Sequence, residues 1–447
     1  MEVLSLPLST FRGVVEGRLS PEKEEVLNEV QRRHFNYFQD FIESSSGLVF
    51  DRSTSTAPIS IAATGFSLSA YIVAWYRHWI STDEATDYFH KVINSLIKIS
   101  PQVTYRGWWS HFIDPHTLLP ARKPKYWDSE YSTIDTALLL WGILSVATIA
   151  NVESESGRRL KSDCLTLLSS IDWSAVLDDQ HLFHHGFCAD KNLLRSVYRG
   201  YSEALLLYIL ALGLDVDKLP SDLWQCYLRD YTVINYHGNS FVTMPGTPLF
   251  CYEYPHCWID FRGIYDHVNS KSGFDYFVNS GNFVKAQITY AKLNPCGFKG
   301  YDNLHWGISA SDGPGWCQQN YLGKVQQFWG YYERGAPFGN DDGTICPTAQ
   351  LAALPFLPEV VWNGVQSHID SGINIYRRSG FTGGYNLTYR TTDNQAWVDD
   401  EMVGIDNGAA ILMIENYRSG LIWSLCMQNS AVKRGLIRAG FSGLTKD

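Results

Sequence analysis

The stretch ALLLWGILSVATIA, residues 137–150, follows directly on the acidic segment WDSEYSTIDT, and its reading decides the fold. It is shorter than the ~20 apolar residues a bilayer crossing needs, so it predicts a helix buried in a protein core. Outward from it, helical periodicity or helix-length apolar runs recur at about 22–43, 60–78, 82–98, 132–150, 157–170, 199–213, 221–230, 256–267, 273–292, 344–354, 358–370 and 406–429. Twelve such segments with few alternating strand patterns predict an all-α chain whose helical hairpins close on themselves. Short strands are expected only in loops, at NSFVTM (239–244) and INIYRRSGF (373–381). No Gly/Ser-rich or Pro-rich linker and no solenoid repeat divides the chain, so one domain over 1–447 is expected, with an N-terminal extension of about 20 residues.

The formal charge of −10 speaks against a polyanionic partner, whether nucleic acid or an acidic membrane. A neutral ligand remains open. Fifteen Trp and 26 Tyr are more than a core needs, and such rings stack on the apolar faces of sugars with their polar edges wet; an aromatic-rich core is the plain alternative. The nine cysteines form no C-x-x-C pair and are odd in number, so reduced thiols are expected. The N-terminal residues lack the basic start and continuous apolar run of a secretory signal, so a soluble, cytoplasmic protein is expected, or a periplasmic or secreted one if a signal has been removed.

Negative charge collects where helices begin. Ser132 and Asp135 read as a capping pair, S-x-x-D, which accounts for Asp135 but leaves Asp128 and Glu130, beside Trp127 and Tyr131, without a structural need. Glu203 opens another apolar run between Tyr198, Tyr201 and ALLLYILAL. It is either a first-turn partner of the helix dipole or a general acid whose proton is retained by apolar surroundings. Asp406 is either the N-cap of the helix that follows or a third cleft carboxylate, and Glu415 is placed to pair with Arg418 at i+3. Acidic helix starts meeting at one mouth suit glycoside hydrolysis, which sets a carboxylic acid and a carboxylate on opposite sides of the scissile bond. His184, His185, His256 and His305 have no metal-ligand spacing, so no metal or cofactor is expected. No G-x-S-x-G, P-loop or G-x-G-x-x-G motif is present either.

These segments resemble a bacterial glucoamylase-like family that includes β-1,2-glucanases and the related domain of cyclic β-1,2-glucan synthases. The matching stretches are GLVFDRS (47–53), SIAATGFSLSAY (60–71), WDSEYSTIDTALLL (127–140), GYSEALLLYILALG (200–213), HCWIDFRGI (256–264), WGISASDGP (306–314), DDGTICPTAQLAALPFLPE (341–359) and GIDNGAAILMIENYRSGLIW (404–423). The resemblance implies an (α/α)6 barrel with a glucan cleft at one end. It implies Glu203 as general acid, Asp128 and Asp135 near the scissile bond, and Asp51, Arg52, Glu130, Trp258, Asp260, Arg262, Trp306 and Asp312 as residues that bind substrate or shape its site. In one place the chain departs from the pattern. Where the family carries an aspartate in a Gly-Phe-Tyr-Asp-Ala-Phe segment, this chain reads GFTGGYN, with Gly383 in the acidic place, so Asp406 becomes the provisional base.

The expectation is therefore a glycoside hydrolase that cleaves β-1,2-linked glucan by inversion, with an oligo- or polysaccharide as partner and Glu203, Asp406 and Asp135 as catalytic carboxylates. A non-catalytic glucan-binding protein and a retaining transglycosylase are the alternatives. A sugar epimerase or a polysaccharide lyase on the same barrel is weaker, since the acidic balance disfavours an anionic polymer.

Overall fold

The computed structural model describes residues 2–6, 18–54, 56–215 and 218–444. Residues 7–17 of the expected N-terminal extension lie outside the described residues. In chain order the helices are α1 (Pro21–Asp40), α2 (Ile61–Tyr76), α3 (Thr82–Val103), α4 (Thr133–Ile149), α5 (Glu155–Leu168), α6 (Leu205–Leu214), α7 (Leu223–Tyr227), α8 (Tyr254–Trp258), α9 (His267–Ser272), α10 (Tyr276–Leu293), α11 (Pro347–Ala352), α12 (Pro358–Asp370), α13 (Gly404–Arg418), α14 (Leu421–Gln428) and α15 (Ser430–Arg438).

Apolar content sorts them. Nearly every residue of α2, α4 and α6 is buried, so these helices have no face to offer to water and must lie inside. By contrast α1, α3, α5 and α12 bury one stripe and expose the other side, as outer helices do. The inner ring runs α2, α4, α6, α8, α11 and α13. Helix α2 packs on α4 and α13, α4 on α6, α6 on α8, and α13 on both α8 and α11. Helix α14 plugs the ring against α4, α8 and α13, while α15 covers α6. The result is an (α/α)6 barrel, with short two-stranded and three-stranded pairings in its loops. Among the described residues no helix is long and apolar enough to cross a membrane.

Glycine sets the closest helix pair. A Cβ on Gly65 of α2 would lie 2.3 Å from the Leu138 carbonyl oxygen, and one on Gly142 of α4 would lie 2.1 Å from that of Gly65, so the two backbones touch only because neither residue has a side chain. That contact holds the start of α4, and with it Asp135, beside the loop that leads into α2.

The helices depart from the sequence expectation where loops carry function. The segment expected at 199–213 becomes helical only at Leu205, and the one at 256–267 breaks into α8, an irregular turn and α9. The run 406–429 splits at Gly420, whose φ of +72° starts α14 anew, and α15 was not expected. Strands form within both loop segments named for them, at Asn239–Thr243, Tyr376–Arg377 and Gly380–Phe381. Glu415 does not pair with Arg418. It is fully buried and takes two hydrogen bonds of 2.8 Å from Arg77, the residue that caps the C-terminus of α2, whereas Arg418 turns to Asn28, Gln31 and Glu24 of α1. The i+3 partner lost because the interior offered Glu415 a bidentate fork.

Candidate active site

The starts of the inner helices share one end of the barrel, and a cavity of about 660 Å³ opens there. Its wall is built from the segments that enter those helices: Asp51 and Arg52 before α2, Asp135 in the first turn of α4, Glu203 before α6, Tyr254 at the start of α8, and Val403 with Ile405 at the start of α13. Short backbone pairings hold these segments together. Arg52 bridges Val403, and the strand Tyr131–Ser132 pairs with Gly186–Phe187. A second lobe of about 600 Å³ shares Ile134, Asp135, His185 and Tyr198 with the first and adds Asp128, Glu130, Cys188 and Asp190. Trp127 and Tyr331, each 48% exposed, stand in the wall as aromatic surfaces open to a ligand.

Glu203 is neither in a helical turn nor a cap: it precedes α6, whose N-cap is Ala204 with no side-chain hydrogen bond. Burial pushes its carboxyl above the usual range, and Glu333 and Asp135 push the same way; the Cys251 thiol, which donates to Oε2 at 2.9 Å, works against them. A carboxyl group so placed tends to hold a proton, as a general acid requires.

In the same cavity, Arg52 is the centre of an acidic cluster. Its guanidinium reaches Asp312 at 2.5 Å, Asp51 at 3.2 Å and Glu401 at 3.4 Å. Asp406 is not the N-cap of α13, which is Val403; it lies in the first turn, is not itself among the residues lining the cavity, and meets it through the lining Tyr254, whose hydroxyl is 3.5 Å from its side chain, with the Cys346 thiol at 3.9 Å. Burial, with Asp312 and Asp51 nearby, raises it to about 7 in spite of Arg52. Burial likewise raises Asp51, with Arg52 opposing.

Asp135 and Glu130 are joined by a residue that sequence reasoning missed. His111 Nδ1 is 2.8 Å from Glu130 Oε1 and its Nε2 is 3.2 Å from Asp135 Oδ1. Burial disfavours the charged ring, but Asp135, Glu130 and Asp51 outweigh it and hold the imidazolium up to about 9. Ser132 does cap α4, accepting from the Asp135 backbone N–H, and its hydroxyl also donates to Asp135 Oδ2. The donor atoms of His111, Glu130 and Asp135 lie within 4.8 Å of one another, as do those of His181, Asp222 and Cys226 outside the cavity. While His111 is an imidazolium both ring nitrogens carry protons, which leaves no lone pair for a metal.

Of the other residues singled out from sequence, Asp51, Arg52 and Asp312 line the main lobe and Asp128 and Glu130 the second, with Asp128 also paired to Lys123 at 3.4 Å. Four do not reach the cavity. Trp258 is fully buried, its indole N–H donating to Ser69 Oγ and its ring stacked on Trp141, so it seals the inner ring. Asp260 and Arg262 follow the other end of α8, where they pair with each other and Arg262 lies over Trp423. Trp306 is fully buried beside Gln350 of α11. Cys251, Cys346, Tyr254 and Glu333 join His111 as site residues the sequence did not reveal. Their only signal was position in aromatic, acidic loops just ahead of helices.

A family model described as "Putative glucoamylase" matches residues 196–430, just over half of the chain, and the chain belongs to that family. It is 25% identical over 443 residues to an exo β-1,2-glucooligosaccharide sophorohydrolase (non-reducing end) from Parabacteroides distasonis, covering 92% of this chain but only 57% of that relative's length. A solved structure from Bacteroides uniformis with the same description as the family superposes with a TM-score of 0.80 at 25% identity, covering 96% of this chain and 99% of that one. The endo-β-1,2-glucanase of Chitinophaga pinensis, solved with sophorotriose and glucose, gives 0.78 at 22% identity and covers 95% and 99%.

Proposed function

We propose that the protein is a glycoside hydrolase that cleaves β-1,2-linked glucan by inversion, with Glu203 as general acid and Asp406 as general base. The observation that carries this reading is that one cavity is lined both by Glu203, whose carboxyl is pushed up by burial, and by Asp51, Arg52 and Asp312 of the Arg52-centred cluster. Glu203 protonates the leaving glycosidic oxygen while a water on the opposite face, activated by Asp406, attacks the anomeric carbon. This division of labour needs room for that water between the two carboxyl groups. Asp135, held by the His111 imidazolium, stands between the lobes and takes sugar hydroxyls, with Asp51, Arg52 and Asp312 as further hydrogen-bond partners. The relatives named for β-1,2-glucan substrates support the linkage. In the same reading residues 1–447 form one barrel domain.

Incubation of the pure protein with linear β-1,2-glucan, followed by chromatography, is expected to release oligosaccharides or sophorose. No release from this glucan alongside release from another would overturn the substrate assignment. NMR of the first-formed anomer decides between inversion and retention.

A further inference from the structure

Gly383 does not need to be glycine for the sake of its backbone, since its φ is not in the left-handed region. What it supplies is space. A Cβ there would lie 2.5 Å from Asp399 Oδ2 and 3.3 Å from Asp312 Oδ2, so the two carboxylate oxygens close on the place where a side chain would begin, and only glycine lets both approach. The hairpin pins both sides of that space: the Asp399 N–H donates to the Gly384 carbonyl at 2.9 Å and the Gly383 N–H to that of Glu401 at 2.8 Å. Asp399 is 9% exposed; its Oδ1 accepts from the Glu401 N–H, and its Oδ2 is buried with no donor in reach. Asp312, for its part, already takes the Arg52 guanidinium.

The charges around Asp399 do not balance. Asp312 and Glu401 face it, with Asp51 and Asp406 beyond, and Arg52 is the cation they share. Arg377 donates to the backbone carbonyls of Asp399 and Asp400 and pairs with the Asp400 carboxylate, so it does not neutralise the Asp399 side chain.

We propose that Asp399 and Asp312 hold one proton between them, Asp399 Oδ2 donating it to Asp312 across the gap left by Gly383, so that Asp399 positions the Arg52–Asp312 pair against the cavity. An O–H···O⁻ bond of this kind is charge-assisted and satisfies the otherwise orphaned oxygen. Burial and the adjacent Asp312 raise Asp399 to about 7, in keeping with a retained proton. Asp399 does not line the cavity, so it acts through Asp312 and not on the substrate. The kinetic half of the inference rests on the hydrolase reading above; the shared proton does not.

The test uses full-length protein labelled with carboxyl-¹³C aspartate. The wild type is expected to show two carboxyls titrating near neutral pH, and Asp399→Asn to lose one of them while that of Asp406 remains. Loss of neither overturns the shared proton. In kinetics with linear β-1,2-glucan, Asp399→Ala is expected to raise KM at least tenfold with a smaller effect on kcat. Asp399→Asn, whose amide can still donate to Asp312, recovers most of that loss. An Asn variant as impaired as the Ala variant, with wild-type circular dichroism, overturns the positioning role. If the wild type cleaves no β-1,2-glucan while the ¹³C titration behaves as stated, the hydrolase reading fails and the shared proton stands.

Discussion

Asp406→Asn separates the cost of the site from its chemistry. Asp406 is raised from 3.8 to about 7 in the folded protein, so its contribution to stability is fully present below pH 3.8 and is lost as pH rises through 7. Each tenfold change in proton affinity is worth about 1.4 kcal/mol. Burying this carboxyl therefore costs the fold about 2 kcal/mol at pH 5, where it must take up a proton, and about 4 kcal/mol at pH 8, an upper bound since water can enter the cleft and relax it. Asparagine is never charged and keeps an acceptor for Tyr254. The variant should therefore gain stability over the wild type, and the gain should grow by about 2 to 3 kcal/mol between pH 5 and pH 8. Urea unfolding at the two pH values measures it, with turnover on β-1,2-glucan followed in parallel and expected to fall at least ~10²-fold. A gain that does not grow with pH would refute the burial argument for Asp406. Turnover above about a tenth of wild type, far more than loss of a general base allows, would remove Asp406 from the mechanism without touching the stability result.

Glu203→Gln keeps shape and hydrogen bonding but not the proton, so turnover should fall ~10² to 10⁴-fold with glucan binding retained in calorimetry; a folded variant above about a tenth of wild-type turnover moves the acid elsewhere. His111, raised from 6.5 to about 9, lends about 3 kcal/mol that is fully present below pH 6.5 and is lost as pH rises through 9. His111→Asn should therefore destabilise much more at pH 6.5 than at pH 9.5, and equal losses at both would sink the imidazolium assignment. Glu415→Ala strips Arg77 of a fully buried partner far from the cavity and should cost about 3 to 5 kcal/mol in chemical denaturation; a loss below about 1 kcal/mol, the worth of an exposed pair, would mean that water reaches the pair.

Sequence alone disclosed the helices that must hide most. The runs that became α2, α4 and α6 are apolar all round, and nothing but an inner position suits them. Helices α8 and α11 were harder to bound because each is barely more than a turn, held by its neighbours and not by its own periodicity. Acidic residues at helix starts were legible at Asp135, Glu203 and Asp406, since polar residues ahead of an apolar run need a reason. The partners that tune them were not. His111, Cys251 and Cys346 come from loops distant in sequence, and only closure of the ring brings them onto those carboxylates. The same closure explains the misassigned motif residues: Trp258 and Trp306 serve the packing of the barrel, and a matching stretch reports packing as readily as chemistry.

Negative charge gathers at these helix starts for an electrostatic reason that lies in the ring itself. Inner helices whose N-termini converge on one cavity bring together the positive ends of their dipoles, a field that favours anionic groups there. Asp51, Asp135, Asp312, Glu401 and Asp406 collect in that field, with Arg52 and His111 as the side-chain cations paired among them. The field and two cations do not neutralise every carboxylate, and burial settles the remainder by raising Asp406 and Asp399 to about 7. At neutral pH the cluster thus holds protons it can give and carboxylates that can take them, next to a cavity walled by Trp127, Phe250 and Tyr331. Such a surface repels an anionic polymer and offers a neutral sugar both ring faces to stack on and paired donors and acceptors for its hydroxyls, which is the physical reason to assay uncharged glucans first.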